Sequence, residues 1–121
     1  MTTIKRSALV TFTARQMFEL VNSIEDYPRF MPWCHSSEII HQTETEIEAS
    51  LEIAWSGIHK KFTTRNCLYP YERIDIVLVH GPFRHLEGRW SCISYGTDGC
   101  KVNLDLEFEL AGNMFDVIFP P

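Results

Sequence analysis

A chain of 121 residues with 45% hydrophobic and 22% charged side chains has material for one core. This composition argues for a single globular domain over residues 1-121 and against disorder or low complexity. Eleven basic and sixteen acidic side chains give a net charge of −5, with five acids and no Lys or Arg in residues 36–56 and six bases against three acids in residues 57–90, too mixed for a dedicated nucleic-acid binder. The longest apolar runs, such as Ile76 to Val79, are too short for a bilayer, and Met1-Thr2-Thr3-Ile4-Lys5-Arg6 leads into no signal-peptide core. Cys34, Cys67, Cys92 and Cys100 lack tight spacing and read as reduced thiols, so a cytosolic location is expected.

In chain order, a strand signal at Ile4 to Phe12 is followed by Thr13-Ala14-Arg15-Gln16, which has the form of a capping box. Ala14, Met17, Phe18 and Val21 then fall on one helical stripe, predicting a short amphipathic helix. Ser23 to Pro32 carries Pro28 and Pro32 around Tyr27, Phe30 and Met31, and reads as loop or a single helical turn. Strand signals continue at His35 to Gln42, Glu46 to Trp55, Ile58 to Tyr69, Arg73 to Val79, Leu86 to Tyr95 and Lys101 to Leu110, with turn chemistry between them. Alternation is cleanest in Glu46 to Trp55, where Ile47, Ala49, Leu51, Ile53 and Trp55 share one face, and in Lys101 to Leu110, where Val102, Leu104, Leu106, Phe108 and Leu110 do. Seven sequential strands with one wet face predict an α+β fold, a curved antiparallel sheet whose apolar face needs a cover. A helix of about nine residues, ~14 Å long, is too short to roof it.

The candidate chemistry is sparse. Cys34 and His35 are adjacent on a strand, so their side chains diverge and do not form a nucleophile and base. Cys92 and Cys100 flank the Gly96-Thr97-Asp98-Gly99 turn without two further zinc ligands, so no metal is expected. His80 and His85 surround a turn, where Glu87 could orient one of them, yet solvated histidines are the simpler expectation. Glu46, Glu48 and Glu52 lie on a polar strand face, and no glycine-rich phosphate loop is present. What stands out is the density of large apolar side chains in loops and at strand ends. Tyr27 to Trp33 and Phe83 in particular suggest a lined cavity.

The stretch Asp26-Tyr27-Pro28-Arg29-Phe30-Met31-Pro32-Trp33-Cys34 resembles the Tyr-Pro-x-Phe-x-Pro-Trp-Cys signature of the coenzyme-Q-binding START-domain family, which is RatA-like and polyketide cyclase-like and falls in the SRPBCC superfamily. Phe62-Thr63-Thr64-Arg65-Asn66, Pro70 and Gly81 to Trp90 look like the family's central and late strands, so the resemblance covers nearly the whole chain. It implies a helix-grip fold, with about seven strands around a long C-terminal helix and a hydrophobic tunnel between them. Asn113 to Phe119 looks like the linker and first residues of that helix, shortened here by Pro120-Pro121.

The resemblance implies noncatalytic binding of ubiquinone or a similar isoprenoid quinone or lipid, in support of respiratory electron transport or quinone biosynthesis, with possible peripheral contact with the inner membrane. Phe30, Trp33, Phe62 and Phe83, in part from the resemblance, and Leu86, Trp90, Leu106 and Phe108, from alternation, are the expected ligand-binding residues. The alternative it carries is a RatA-like toxin that binds the large ribosomal subunit and blocks subunit association. No catalytic residue and no cofactor are expected. The uncovered sheet face also predicts a homo-oligomer.

Overall fold

The computed structural model describes residues 2–32, 34–55 and 58–110. Its elements are β1 (Thr2–Val10), α1 (Ala14–Val21), a 3-10 turn (Ile24–Asp26), α2 (Tyr27–Phe30), β2 (Cys34–Gln42), β3 (Glu46–Trp55), β4 (Ile58–Tyr69), β5 (Arg73–His80), β6 (Phe83–Tyr95) and β7 (Gly99–Leu110). The strands form one antiparallel sheet in the order β1-β7-β6-β5-β4-β3-β2. Six strands follow one another as a meander, while β1 leaves its sequence neighbour and pairs with β7, Thr2 opposite Phe108 and Val10 opposite Cys100. The seven-strand expectation holds. The shortened C-terminal helix expected at Asn113 to Phe119 lies outside the described residues.

β1 and β2 occupy opposite edges of the sheet, so the segment between them must cross its full width. That crossing supplies the cover. α1 starts where the capping box places it: Thr13 Oγ1 accepts from the Gln16 amide at 3.1 Å and Gln16 Oε1 accepts from the Thr13 amide at 2.9 Å, leaving few unsatisfied donors at the first turn. Its apolar stripe turns inward, with Ala14 and Phe18 buried. Ser23 to Pro32 then makes one 3-10 turn and one α turn, with Pro28 tolerated near the start of α2. Ile24 and Tyr27 go into the core with Ile47, Ala49, Leu68 and Ile74, and Ser37 Oγ donates to the Ile24 carbonyl at 2.7 Å, tying the crossing segment to the edge strand β2.

Alternation sorts the sheet into an inner, apolar face and an outer, charged one. On β3, Ile47 and Ala49 are fully buried, while Glu46 and Glu48 on the other face pair with Arg65 of β4 at 2.8 and 3.3 Å. The expected wet face of β3 has one dry point. Ser50 and Thr63 stand directly opposite each other in the outer register and are buried there. Their hydroxyls lie 2.7 Å apart and satisfy each other, which removes most of the cost of burying them. Over β1 the inner face stays largely open among the described residues, with Arg6 and Ala8 exposed and Ile4 and Val10 half-buried.

The Tyr27 hydroxyl donates to the Val21 carbonyl and locks the crossing segment onto itself. Burial, with a smaller contribution from nearby Cys34, pushes this phenol from its ordinary 10.0 up to about 12. The unfolded chain therefore ionises Tyr27 first and holds fewer protons than the folded chain between about pH 10 and pH 12, so stability falls as pH rises through that window. The expected loss is about 2–3 kcal/mol, seen as a downward slope in urea-unfolding free energies collected from pH 9 upward. Tyr27→Phe should flatten that slope, and an identical slope in the variant would place the alkaline loss elsewhere.

Candidate functional site

Between the crossing segment and the inner sheet face lies an apolar cavity of about 180 Å³. Its roof is Val21, Ile24, Tyr27 and Met31. The floor takes alternate residues from five strands: Ala49 and Leu51 of β3, Phe62, Thr64 and Asn66 of β4, Ile74 and Ile76 of β5, Leu86 and Trp90 of β6, and Leu104 and Leu106 of β7. The volume is close to that of a ~150 Å³ apolar cavity that takes up benzene, so this half-open space shelters a single ring or a short branched chain. Thr64 and Asn66 bring polar side chains to the floor; both are buried, and Thr64 Oγ1 donates to Asn66 Oδ1 at 3.2 Å.

Of the eight residues expected from the sequence, Phe62, Leu86, Trp90 and Leu106 line this cavity. Phe83 and Phe108 sit beside it: the Phe83 ring packs edge-on against Phe62 at 5.6 Å and against Phe108 at 6.2 Å. A break in register between Phe83 and His85 turns Phe83 to the same face as Leu86, although the two differ by an odd number of residues. Phe30 is a correction. It is 45% exposed and packs edge-on against Tyr27 at 5.6 Å: three residues apart on one helical turn, the two rings are neighbours, and Tyr27, not Phe30, is the one that reaches the core. Trp33 lies outside the described residues.

The site also uses residues that strand alternation alone did not select. Tyr27 and Met31 carried a signal, the concentration of apolar side chains around two prolines, whereas Val21 carried only the helical stripe and Ile24 carried none. Thr64 and Asn66 share the parity of Phe62 and fall in the stretch that carried the family resemblance, though neither was singled out for the site.

The remaining chemistry separates in space. Cys34 is buried, its Sγ donates to the Ser36 carbonyl at 3.4 Å, and burial pushes its thiol up, away from the thiolate a nucleophile needs. His35 is exposed on the opposite side with its ring against His59 at 5.3 Å. Cys92 and Cys100 do approach each other on the inner face, and burial, reinforced by Cys100, pushes the Cys92 thiol up as well. His80 is exposed. The expectation for His85 changes: it is on β6, with Nε2 at 3.3 Å from Glu87 and 3.2 Å from Glu107.

A seven-strand antiparallel sheet holding a cavity under a short helical crossing defines the START-like class of fold. TTHA0849 from Thermus thermophilus superposes with a TM-score of 0.86 over 96% of this chain and 80% of that one at 16% identity, a likeness of fold alone. Residues 10–120 match the model of the family described as polyketide cyclase / dehydrase and lipid transport, and the chain belongs to that family. Within it, the chain is 40% identical over 120 residues to the ribosome association toxin RatA of Pseudomonas aeruginosa, covering 99% of this chain and 83% of the relative. It is 44% identical over 116 residues to RatA of Vibrio cholerae serotype O1, covering 96% and 81%. A more distant relative is the mitochondrial coenzyme Q-binding protein COQ10 homolog B of Xenopus laevis, 25% identical over 107 residues, 85% of this chain and 44% of that protein.

Gly81 lies in the turn between β5 and β6, against the Phe62 backbone and Cβ on β4. A Cβ placed there would stand 2.5 Å from Phe62 Cβ and 3.2 Å from its Cα, atoms that cannot swing aside. Gly81→Ala is expected to cost about 1–3 kcal/mol in urea unfolding, and a neutral substitution would show that this turn does not press on Phe62.

Proposed function

We propose that this chain is a noncatalytic ribosome-associating protein of the RatA kind that binds the large ribosomal subunit and blocks subunit association. The observation that carries the reading is identity of 40% and 44% to two RatA proteins over nearly the whole chain. A ribosomal partner also places the chain in the cytoplasm. The charge distribution narrows where such contact can occur. Although the net charge is −5, several bases of the 57–90 stretch are already engaged: Arg65 with Glu46 and Glu48, Arg73 with Glu72 and Asp75, Arg89 with Asp75. Lys60, Lys61 and Arg84 are exposed at the end of the sheet where β4 begins and β5 turns into β6, and they are outside the ion pairs formed among the described residues. That end of the sheet, with Lys60 and Lys61 on its two sides, is what the chain offers to ribosomal phosphates.

In gradient sedimentation, the chain is expected to travel with large subunits, lower the yield of joined ribosomes, and dissociate as salt is raised. Replacing Lys60, Lys61 and Arg84 together by Glu should weaken the association about tenfold at fixed salt. Absence of the chain from subunit fractions at low salt would end this reading.

A second reading is favoured by the cavity itself: its lining is largely apolar, with Thr64 and Asn66 as a polar pair on the floor, and the COQ10 homolog is a distant relative. In it, the cavity holds the ring or the first isoprene unit of a quinone or similar isoprenoid lipid. At about 0.8 kcal/mol per buried CH2, one five-carbon unit contributes roughly 4 kcal/mol before ordering costs, and the rest of a long tail would lie outside a space of about 180 Å³. Mass spectrometry of lipid extracted from protein purified without detergent should then show an isoprenoid quinone. Trp90→Lys, which puts a charge at the cavity wall, should abolish its retention, and equal retention by a folded Trp90→Lys protein would exclude this cavity as the site.

A further inference from the structure

We propose that His85, Glu87 and Glu107 form a binding site for a divalent cation of the zinc class on the outer face of the sheet. The three residues come from two strands. His85 and Glu87 are two positions apart on β6 and therefore share a face, and Glu107 of β7 stands directly opposite Glu87 in the antiparallel register. One ligand atom from each, His85 Nε2 and one carboxylate oxygen from each glutamate, lie within 4.8 Å of one another.

Two observations point to a cation. First, His85 Nε2 is 3.3 Å from Glu87 Oε1 and 3.2 Å from Glu107 Oε1, yet it is shielded from solvent and makes no hydrogen bond of acceptable angle with any described residue. The nitrogen is close to both oxygens without being aimed at either. Ligands about 2.0–2.2 Å from a tetrahedral zinc stand roughly 3.3–3.6 Å apart, close to the separations of His85 Nε2 from the two carboxylate oxygens, and all three ligand atoms lie within 4.8 Å of one another. Second, Glu87 and Glu107 are like charges directly across a ladder, an arrangement that destabilises a sheet unless something lies between them. Of the neighbouring bases, Arg89 of β6 donates to Asp75 at 2.7 Å, and Lys5 of β1, opposite Asp105 in the register, makes no ion pair with either glutamate among the described residues. Glu109, opposite His85, adds further negative charge on this side.

An imidazole nitrogen with two carboxylates suits zinc and its first-row neighbours better than magnesium or calcium, which take oxygen ligands. Three protein ligands leave the fourth position to water, and Glu87 and Glu107 are exposed enough for an ion to enter. This site is on the opposite face of the sheet from the apolar cavity, so it stands or falls independently of both functional readings.

Calorimetric titration of the metal-free chain with zinc chloride tests it. The expected result is one ion per chain, with affinity reduced at least tenfold in both His85→Ala and Glu107→Gln, and no comparable heat from magnesium chloride. A rise in thermal midpoint with zinc, present in the parent and lost in both variants, should accompany it. Because four free cysteines are also present, cobalt substitution provides the control: a spectrum without thiolate-to-metal charge transfer is expected. Thiolate absorption, unchanged affinity in folded His85→Ala, or no binding at millimolar zinc would each overturn the proposal.

Discussion

The placement of β1 and β2 at opposite edges of one sheet is the constraint from which the rest of this molecule follows. A chain that must travel from one edge to the other across an apolar surface has to bury side chains along the way, and α1, the 3-10 turn and α2 do this with Phe18, Ile24 and Tyr27. The crossing is too thin to fill the space it spans. What it leaves is the cavity, bounded above by four residues of the crossing and below by five strands. Cover and cavity are thus two results of one topological choice.

The same choice keeps the two faces chemically apart. On the inner side, burial holds the Tyr27, Cys34 and Cys92 groups in their neutral forms, and a desolvated surface of that kind suits apolar matter. On the outer side, the register sets charge against charge: Arg65 with Glu46 and Glu48, Arg89 with Asp75. Exposed pairs of this type add little stability. Their structural effect is to neutralise most of the bases in the middle of the sheet, so that the exposed Lys60, Lys61 and Arg84 dominate one end of it. A ribosomal contact and a cavity ligand therefore make demands on different surfaces, and nothing in the fold forces a choice between them.

Much of this was legible in the residues. Strict alternation in β3 and β7 showed the inner face, and Thr13 with Gln16 marked the start of α1 to the residue. Three of the expected ligand-binding residues reached the cavity for the same reason, Leu86 and Trp90 an even step apart on β6 and Leu106 on the apolar face of β7, while Phe62 was expected in part from the family resemblance. Sequence reasoning failed where the period breaks. Phe30 was expected at the site in part from the family resemblance, and nothing in that stretch says which of two neighbouring rings on a single helical turn reaches the core. Phe83 needed a bulge to join its face, and the bulge has no residue signature. The His85, Glu87 and Glu107 cluster was invisible because Glu107 lies far along the chain, and only the register of β6 with β7 brings it back.

The closure of β1 on β7 also governs how the molecule comes into being. The six-strand meander is built from hairpins, whose contacts are local and form quickly, whereas Thr2 must find Phe108. During synthesis at about 5–20 residues per second, the first strand waits roughly 5–20 seconds for its partner to be made. Over that interval Thr2–Val10 has no neighbour on either side, and its lysine and arginine, Lys5 and Arg6, guard it against pairing with another nascent chain. Pairing of β1 with β7 is therefore expected to follow the hairpins of the meander, and the earliest-made of the seven strands is the one that completes the sheet.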